Sequence, residues 1–296
     1  MSTFISLLAA GISLGFIYAL LALGMVIVFK SSEVVNFALG SLVVMGAFAV
    51  SELDNKIGFF PACACALLLV MAVGGLTERF LIRPARRASA ISLALITLGL
   101  DIVLVTELTR RIGVNGRSLD APWGSSSLEL GSVVLPWGRV LAAVAVIVIL
   151  VAFFVAMKYT VWGVAMRAVA EDPHTATLMG IKVTRVSATG WVLAGAFSVI
   201  AGVFLTTFPS AGVESTTALT ALAALPAVIL GGLDSPAGAV VGGLIIGVAQ
   251  ALTAGYIEHF SFLGNNFGAV APYLVMFLVL VIRPTGIFGS KELSRV

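Results

Sequence analysis

Hydrophobic positions along this chain fall into long unbroken runs rather than an alternating pattern. Residues 2–29, 34–51, 57–77, 140–157, 186–213, 215–233, 235–257 and 259–282 contain no Asp, Glu, Lys or Arg. A helix that crosses the hydrocarbon core of a bilayer needs about 20 apolar residues, and most of these windows supply them. One more candidate runs from about 90 to 109, where apolar character resumes after Asp101. The windows predict helices near 4–29, 34–51, 60–80, 90–109, 140–158, 187–208, 216–232, 237–257 and 266–283. The stretches 31–46 and 218–232 are the weakest crossings, so eight or nine are expected. Barrel strands alternate apolar and polar residues over about ten positions, whereas Val144 to Phe154 is continuously apolar.

Composition agrees. Of 296 residues, 60% are hydrophobic and 10% charged, and mean hydropathy is +1.13. Soluble domains carry about 25% charged residues, and disorder requires low hydrophobicity. The chain reads as an all-α polytopic integral membrane protein of one transmembrane domain spanning 1–296. Residues 2–29 lack a positive n-region and are too long for a signal-peptide core, so they are expected to form the first crossing.

Net charge is +3, and its distribution is more informative than its sum. Three basic clusters stand out: Arg79, Arg83, Arg86 and Arg87; Lys158, Arg167, Lys182 and Arg185; Arg283, Lys291 and Arg295. The positive-inside rule places all three in the cytoplasm. The N-terminus then lies outside, the C-terminus inside, and Lys30 and Glu33 mark a tight inner turn. An external loop of about 110–139 follows. It carries Arg110, Arg111, Arg117 and Arg139 against the rule, offset by its length and by Asp120 and Glu129. Glycines spaced by four, namely Gly11 and Gly15, Gly238 and Gly242, and Gly243 and Gly247, predict close helix contacts.

The most informative polar stretch is the cytoplasmic segment of about 159–186. Asp172 is placed to cap a helix, with Pro173 at its first position. Gly180 suits the left-handed position beyond its end. Leu178, Met179 and Ile181 give this short helix an apolar tip. Arg167 and Glu171 are one turn apart and able to pair if helix continues there. Such an element reads as a docking knob, or as an amphipathic loop at the lipid surface.

Several separated blocks, in order, resemble the branched-chain amino acid ATP-binding-cassette permeases of bacterial inner membranes, specifically the shorter of the two paired permease subunits. They are Gly15–Gly24, Val35-Asn36-Phe37-Ala38-Leu39-Gly40, Glu78–Pro84, Gly163–Gly180, Leu230–Gly243 and Arg283–Gly289. Leu39 stands where the family commonly has histidine. The resemblance implies half of a membrane core. It also implies a second homologous permease subunit, two cytoplasmic ATP-binding subunits that hold ATP-Mg, and a periplasmic substrate-binding protein. It implies an ATPase-coupling role for Arg167, Glu171, Asp172, Pro173, Leu178, Met179 and Gly180. It places Asn36 beside the substrate region.

Asp101 is a second candidate for the translocation pathway, because an ionisable group at membrane depth is costly. Glu107, six residues on, points elsewhere on the helix and is expected near its outer end. Asp234, Ser235 and Pro236 read as a turn, and Glu214 as an outer surface acid. No phosphate-binding loop occurs, so this chain is expected to bind no cofactor and to hydrolyse no ATP itself. Cys63 and Cys65 read as buried small hydrophobes. His174 and His259 join no metal motif. No catalytic cluster is expected, and the scattered basic residues do not form a nucleic-acid-binding stripe. The expected function is import of branched-chain or related hydrophobic amino acids. Permeases for urea or short amides are the nearest alternative, and a self-sufficient secondary transporter is a further one.

Overall fold

The computed structural model describes residues 2–113, 116–119, 121–124, 126–130, 133–207, 212–214, 217–256 and 267–289. Twelve α-helices occur among them. They are α1 (Ser2–Ser32), α2 (Leu39–Ile57), α3 (Phe59–Thr77), α4 (Ala90–Ile112), α5 (Trp137–Tyr159), α6 (Val161–Glu171), α7 (Pro173–Leu178), α8 (Val183–Leu205), α9 (Thr217–Leu222), α10 (Ala224–Gly231), α11 (Pro236–Gly255) and α12 (Phe267–Ile282). The protein is a polytopic all-α membrane protein. By length and composition six helices suffice to cross a bilayer: α1, α3 with its continuation to Ile82, α4, α5, α8 and α11. Two shorter apolar helical stretches cover Thr217–Gly231 and Gly268–Ile282.

The windows locate the helices well and their ends less well. Helix α2 starts at Leu39, not near 34, because residues 33–38 are held in another conformation. Glu33 is left-handed, with φ +56, and the Asn36 side chain accepts the Ala38 amide at 3.0 Å. The window 216–232 is two short helices joined at Ala223. The loop of 110–139 contains an antiparallel hairpin, β1 (Ser127–Leu130) with β2 (Val133–Pro136), too short for the hydropathy pattern to reveal. After Thr77 the chain tightens into one π-helical turn, Glu78–Ile82. Cys65 is exposed and Cys63 half-buried, so the expected burial of both fails: on α3 the apolar environment they face is in large part lipid.

The helices form two compact units. One contains Met1–Val26, Trp123–Val144 and Ala223–Val296, the other Ile27–Pro122 and Ala145–Leu222. In the first, α1 meets α11 through the four-spaced glycines. A Cβ on Gly11 would lie 2.7 Å from Val248 Cα, and one on Gly15 2.8 Å from Leu244 Cα. Gly243 and Gly247 face Ala19 and Gly15 in return. Apolar side chains gain little by leaving lipid, so such close backbone approach supplies the packing. The Tyr18 hydroxyl donates to Gln250 Oε1 at 2.8 Å across this seam. In the same unit the segment after α12 folds onto the end of α10, where Ile287 N donates to Leu230 O at 2.8 Å and Phe288 N to Gly231 O at 3.1 Å.

In the second unit α8 is central, packed on α2 and α3. A Cβ on Gly195 would stand 2.7 Å from Val70 O, and one on Gly202 2.6 Å from Val43 O. Helices α3, α4 and α5 turn large apolar side chains outward, among them Leu68, Ile91, Val103 and Val148. Contacts within this unit sort its polar ends into two groups. Arg117 in the loop exchanges backbone hydrogen bonds with Val213 and lies 3.5 Å from Glu52 near the end of α2. At the opposite ends, the residues closing α1, Arg86 and Pro173 line one cavity.

Candidate functional site

The segment of 159–186 folds as α6, α7 and the start of α8. Thr160 caps α6, its hydroxyl accepting the Gly163 amide at 3.1 Å. Gly163 lies against the backbone of Met157, with no room for a Cβ. Arg167 does not pair with Glu171. It turns back, and its Nη1 donates to the Met157 carbonyl. This closes the corner between α5 and α6. The Trp162 indole donates to Thr189 Oγ1 at 2.8 Å, which ties α6 to α8.

Helix α7 is only six residues long, and isolated helices so short are unstable in water. Both its ends are therefore fastened. Asp172 Oδ1 accepts the amides of His174 at 2.8 Å and Thr175 at 3.2 Å, and Oδ2 accepts the Thr175 hydroxyl at 2.5 Å. These bonds hold the Asp172 carboxyl below the usual carboxylate range, the Thr175 hydroxyl contributing most. Pro173 takes the first helical position, where a missing N–H costs nothing. At the other end Ile181 N donates to Ala176 O and Gly180 N to Thr177 O, both at 3.0 Å, with Gly180 at φ +82. This is the paired closure that a left-handed glycine permits. Ala176 faces inward and is buried, while Leu178 and Met179 are 74% and 79% exposed. Glu171 and His174 are exposed beside them.

The second group of predicted residues lies at the break before α2. Asn36 is fully buried. Its Oδ1 accepts the Ala38 amide, while its Nδ2 has no partner among the described residues. Thr97 of α4, which the sequence reading did not single out, pins this break. Its buried hydroxyl accepts from Phe37 N at 3.1 Å and lies 3.0 Å from Val35 O. Asp101, one turn along α4, accepts from Ser41 N at 3.2 Å. Ala38, at the cap of α2, offers no side-chain acceptor. Asp101 thus supplies from α4 the carboxylate that an N-cap residue would, and the α2 dipole favours it there. The structure brings Asn36 and Asp101 to one break, well away in sequence from the α6–α7 element. Leu39 is fully buried as the first residue of α2.

Glu107 pairs with Arg110 at 2.8 Å and Arg111 at 2.6 Å near the C-terminal end of α4, and Glu214 is exposed. Ser235 caps α11, accepting the Gly238 amide at 3.0 Å. Asp120, His259, Lys291 and Arg295 lie outside the described residues. Among the described residues no group of three or more His, Cys, Asp or Glu is placed to hold a metal ion. Sequence reasoning also missed Glu78. It is completely buried, yet it takes Arg83 Nη2 at 2.7 Å and Arg86 Nη2 at 3.2 Å. The π-helical turn brings these three charges together.

The family described as branched-chain amino acid transport system / permease component matches residues 7–282. The chain is 29% identical over 305 residues to the high-affinity branched-chain amino acid transport system permease protein LivH of Salmonella typhimurium, covering 97% of this chain and 96% of that protein. It is 31% identical over 292 residues to the probable branched-chain amino acid transport permease protein LivH of Methanocaldococcus jannaschii, covering 94% and 90%. Among solved structures, PsaBC from Streptococcus pneumoniae in complex with Fab aligns with a TM-score of 0.50 at 15% identity, over 96% of this chain and 93% of that one. That last likeness concerns the fold.

Proposed function

This chain belongs to the branched-chain amino acid transport permease family, and from that premise we propose that it forms half of the translocation pathway of an ATP-driven importer for branched-chain or related hydrophobic amino acids. The reading includes a second homologous permease, two cytoplasmic ATP-binding subunits carrying ATP-Mg, a periplasmic binding protein, and residence in a bacterial inner membrane. The observation that carries it is the α7 tip. A six-residue helix fastened at both ends presents Leu178 and Met179 outward with little else to contact. Large exposed apolar side chains on a polar surface mark an interaction site. In this reading they seat in a cleft of an ATPase subunit. Asp172, Pro173 and Gly180 hold the helix, Arg167 braces its corner, and Glu171 faces the partner. Asn36 and Asp101 stand at the broken segment beside the pathway, where irregular backbone is tolerated inside protein.

Nine crossings fit this reading. The polar group of Glu52, Arg117 and Val213 lies outside, and that of Glu33, Arg86 and Pro173 inside. The α9–α10 pair then enters beside Val213 and ends at Gly231, hydrogen-bonded to the segment that follows Arg283. Its break at Ala223 is lined by buried residues, as membrane-depth breaks require.

The test is a mild-detergent pull-down of the tagged chain from its native membrane. Recovery of two ATPases and a longer permease is expected. Leu178→Asp is expected to release the ATPases while the chain stays inserted. Recovery of this chain alone, still moving solute into ATP-free liposomes under an ion gradient, would replace the importer with a secondary transporter. Uptake of labelled leucine against urea and acetamide separates the substrate classes.

A further inference from the structure

Glu33, just beyond α1, has φ +56, whereas the other described residues with positive φ are all glycine. Its amide donates to Phe29 O at 2.7 Å. This is the left-handed position after a helix, where glycine is usual and a residue with a Cβ is disfavoured. Backbone strain of this kind concentrates at binding sites, and the side chain it positions faces a cavity.

That cavity, of about 190 Å³, is lined by residues 30–33 at the end of α1 together with Arg86, Pro173 and Val183. It is smaller than the roughly 300–1,000 Å³ typical of sites for drug-sized ligands, so it suits a molecule of amino-acid size. Arg86 gives one N–H to Glu78, and no described residue accepts from its Nε or Nη1. Burial, together with neighbouring Arg83, pulls against its charge, and Glu78 only partly compensates. A further carboxylate would be welcome beside it. A small inorganic anion would meet repulsion from Glu33, and a simple cation repulsion from Lys30 and Arg86. A zwitterion satisfies both signs, and Pro173 and Val183 offer it an apolar surface.

We propose that this cavity binds a free α-amino acid with a branched apolar side chain at the cytoplasmic face. Its carboxylate lies on Arg86 and Lys30, its ammonium on Glu33, and its side chain on Pro173 and Val183. The proposal rests on the reading of α6–α7 as the cytoplasmic coupling element. Because Pro173 opens α7, an occupied cavity bears directly on the docking helix, and accumulated product reports to the ATPases through it.

The experiment uses inside-out vesicles holding the full chain with its native partners, with Ser32→Cys on a Cys63→Ala, Cys65→Ala background. The rate of modification of this cysteine by a membrane-impermeant thiosulfonate is read with L-leucine, 4-methylpentanoate, isoamylamine or inorganic phosphate present. L-leucine is expected to slow modification about tenfold at a concentration about ten times its Kd, and the other three are not. Glu33→Gly removes the carboxylate and relieves the backbone, so it should abolish protection without lowering Tm. No protection by leucine, equal protection by phosphate or the amine, or full protection in Glu33→Gly would each overturn the site. ATPase content of the same vesicles is scored separately. Loss of protection with ATPases retained refutes the cavity alone, and absence of the ATPases refutes the docking reading.

Discussion

Glu78 shows how much a single residue can hide from the sequence. In the linear chain it is one acid among arginines at the end of an apolar run, and nothing local marks it out. In the structure it is fully buried between Arg83 and Arg86. Removing one partner of a buried pair leaves an uncompensated charge, which costs about 3–5 kcal/mol. Both arginines are partly exposed here, so Glu78→Ala is expected to destabilise the chain by about 2–3 kcal/mol, measured by thermal unfolding in detergent. Asp101 makes a different case. Its place in an apolar helix pointed to transport, while its bond to Ser41 N gives it a capping duty as well. Losing such a cap typically costs about 1 kcal/mol. Asp101→Ala should therefore lower stability by about that amount, and Asp101→Asn, which keeps an acceptor, by much less. Uptake that falls in Asp101→Asn while Tm holds would separate a pathway role from the cap. The sequence disclosed the residue and not its partner, because the partner is 60 positions away.

At the scale of elements, α7 was the most legible part of the chain. Asp172, Pro173 and Gly180 are local signals, and a short helix between caps needs nothing distant to define it. The helix seams were legible only where local spacing exposes them. Gly11, Gly15, Gly243 and Gly247 repeat every four residues, but Gly195 and Gly202 are seven apart and give no such sign, although each takes a backbone carbonyl of a neighbouring helix. Gly202→Leu is thus expected to disrupt the α8–α2 seam and reduce the folded yield as strongly as Gly15→Leu disrupts α1–α11, read by size-exclusion recovery. The cap itself carries a pH prediction. The Asp172 carboxyl is held below its ordinary value. Its contribution is therefore present above the unfolded value of about 3.9 and is lost only as pH falls through the lower folded value. Retention of the ATPases should be flat from about pH 5 to 8 in the wild type. Asp172→Ala should weaken retention at every pH in that range, while Asp172→Asn, still an acceptor, retains most of it.

For the whole molecule the question is which ends share a side of the membrane. Charge counting put the loop of 110–139 outside despite four arginines. Three of these basic residues are ion-paired, Arg110 and Arg111 with Glu107 and Arg117 with Glu52, which lessens the weight they carry against that placement. The Glu107 pairs are one helical turn apart and legible from spacing, whereas nothing local announces the pairing of Arg117 with Glu52, which lies far off in sequence. The remaining ambiguity was the weak window near 218–232. Thr217–Gly231 is about 22 Å long as helix, short of the roughly 30 Å hydrocarbon core, so length alone favours a re-entrant loop. Parity argues otherwise. A re-entrant α9–α10 would send α11 inward and α12 outward, and would leave Arg283 on the outer face against the positive-inside rule. A crossing returns Arg283 to the cytoplasm, on the side where Ile287 meets Leu230. Single cysteines decide between these outcomes on a background free of Cys63 and Cys65. Glu214→Cys is expected to react with an impermeant thiol reagent only from outside, and Asp234→Cys only from inside. Both reacting from the outer face would make α9–α10 re-entrant and reduce the crossings to eight.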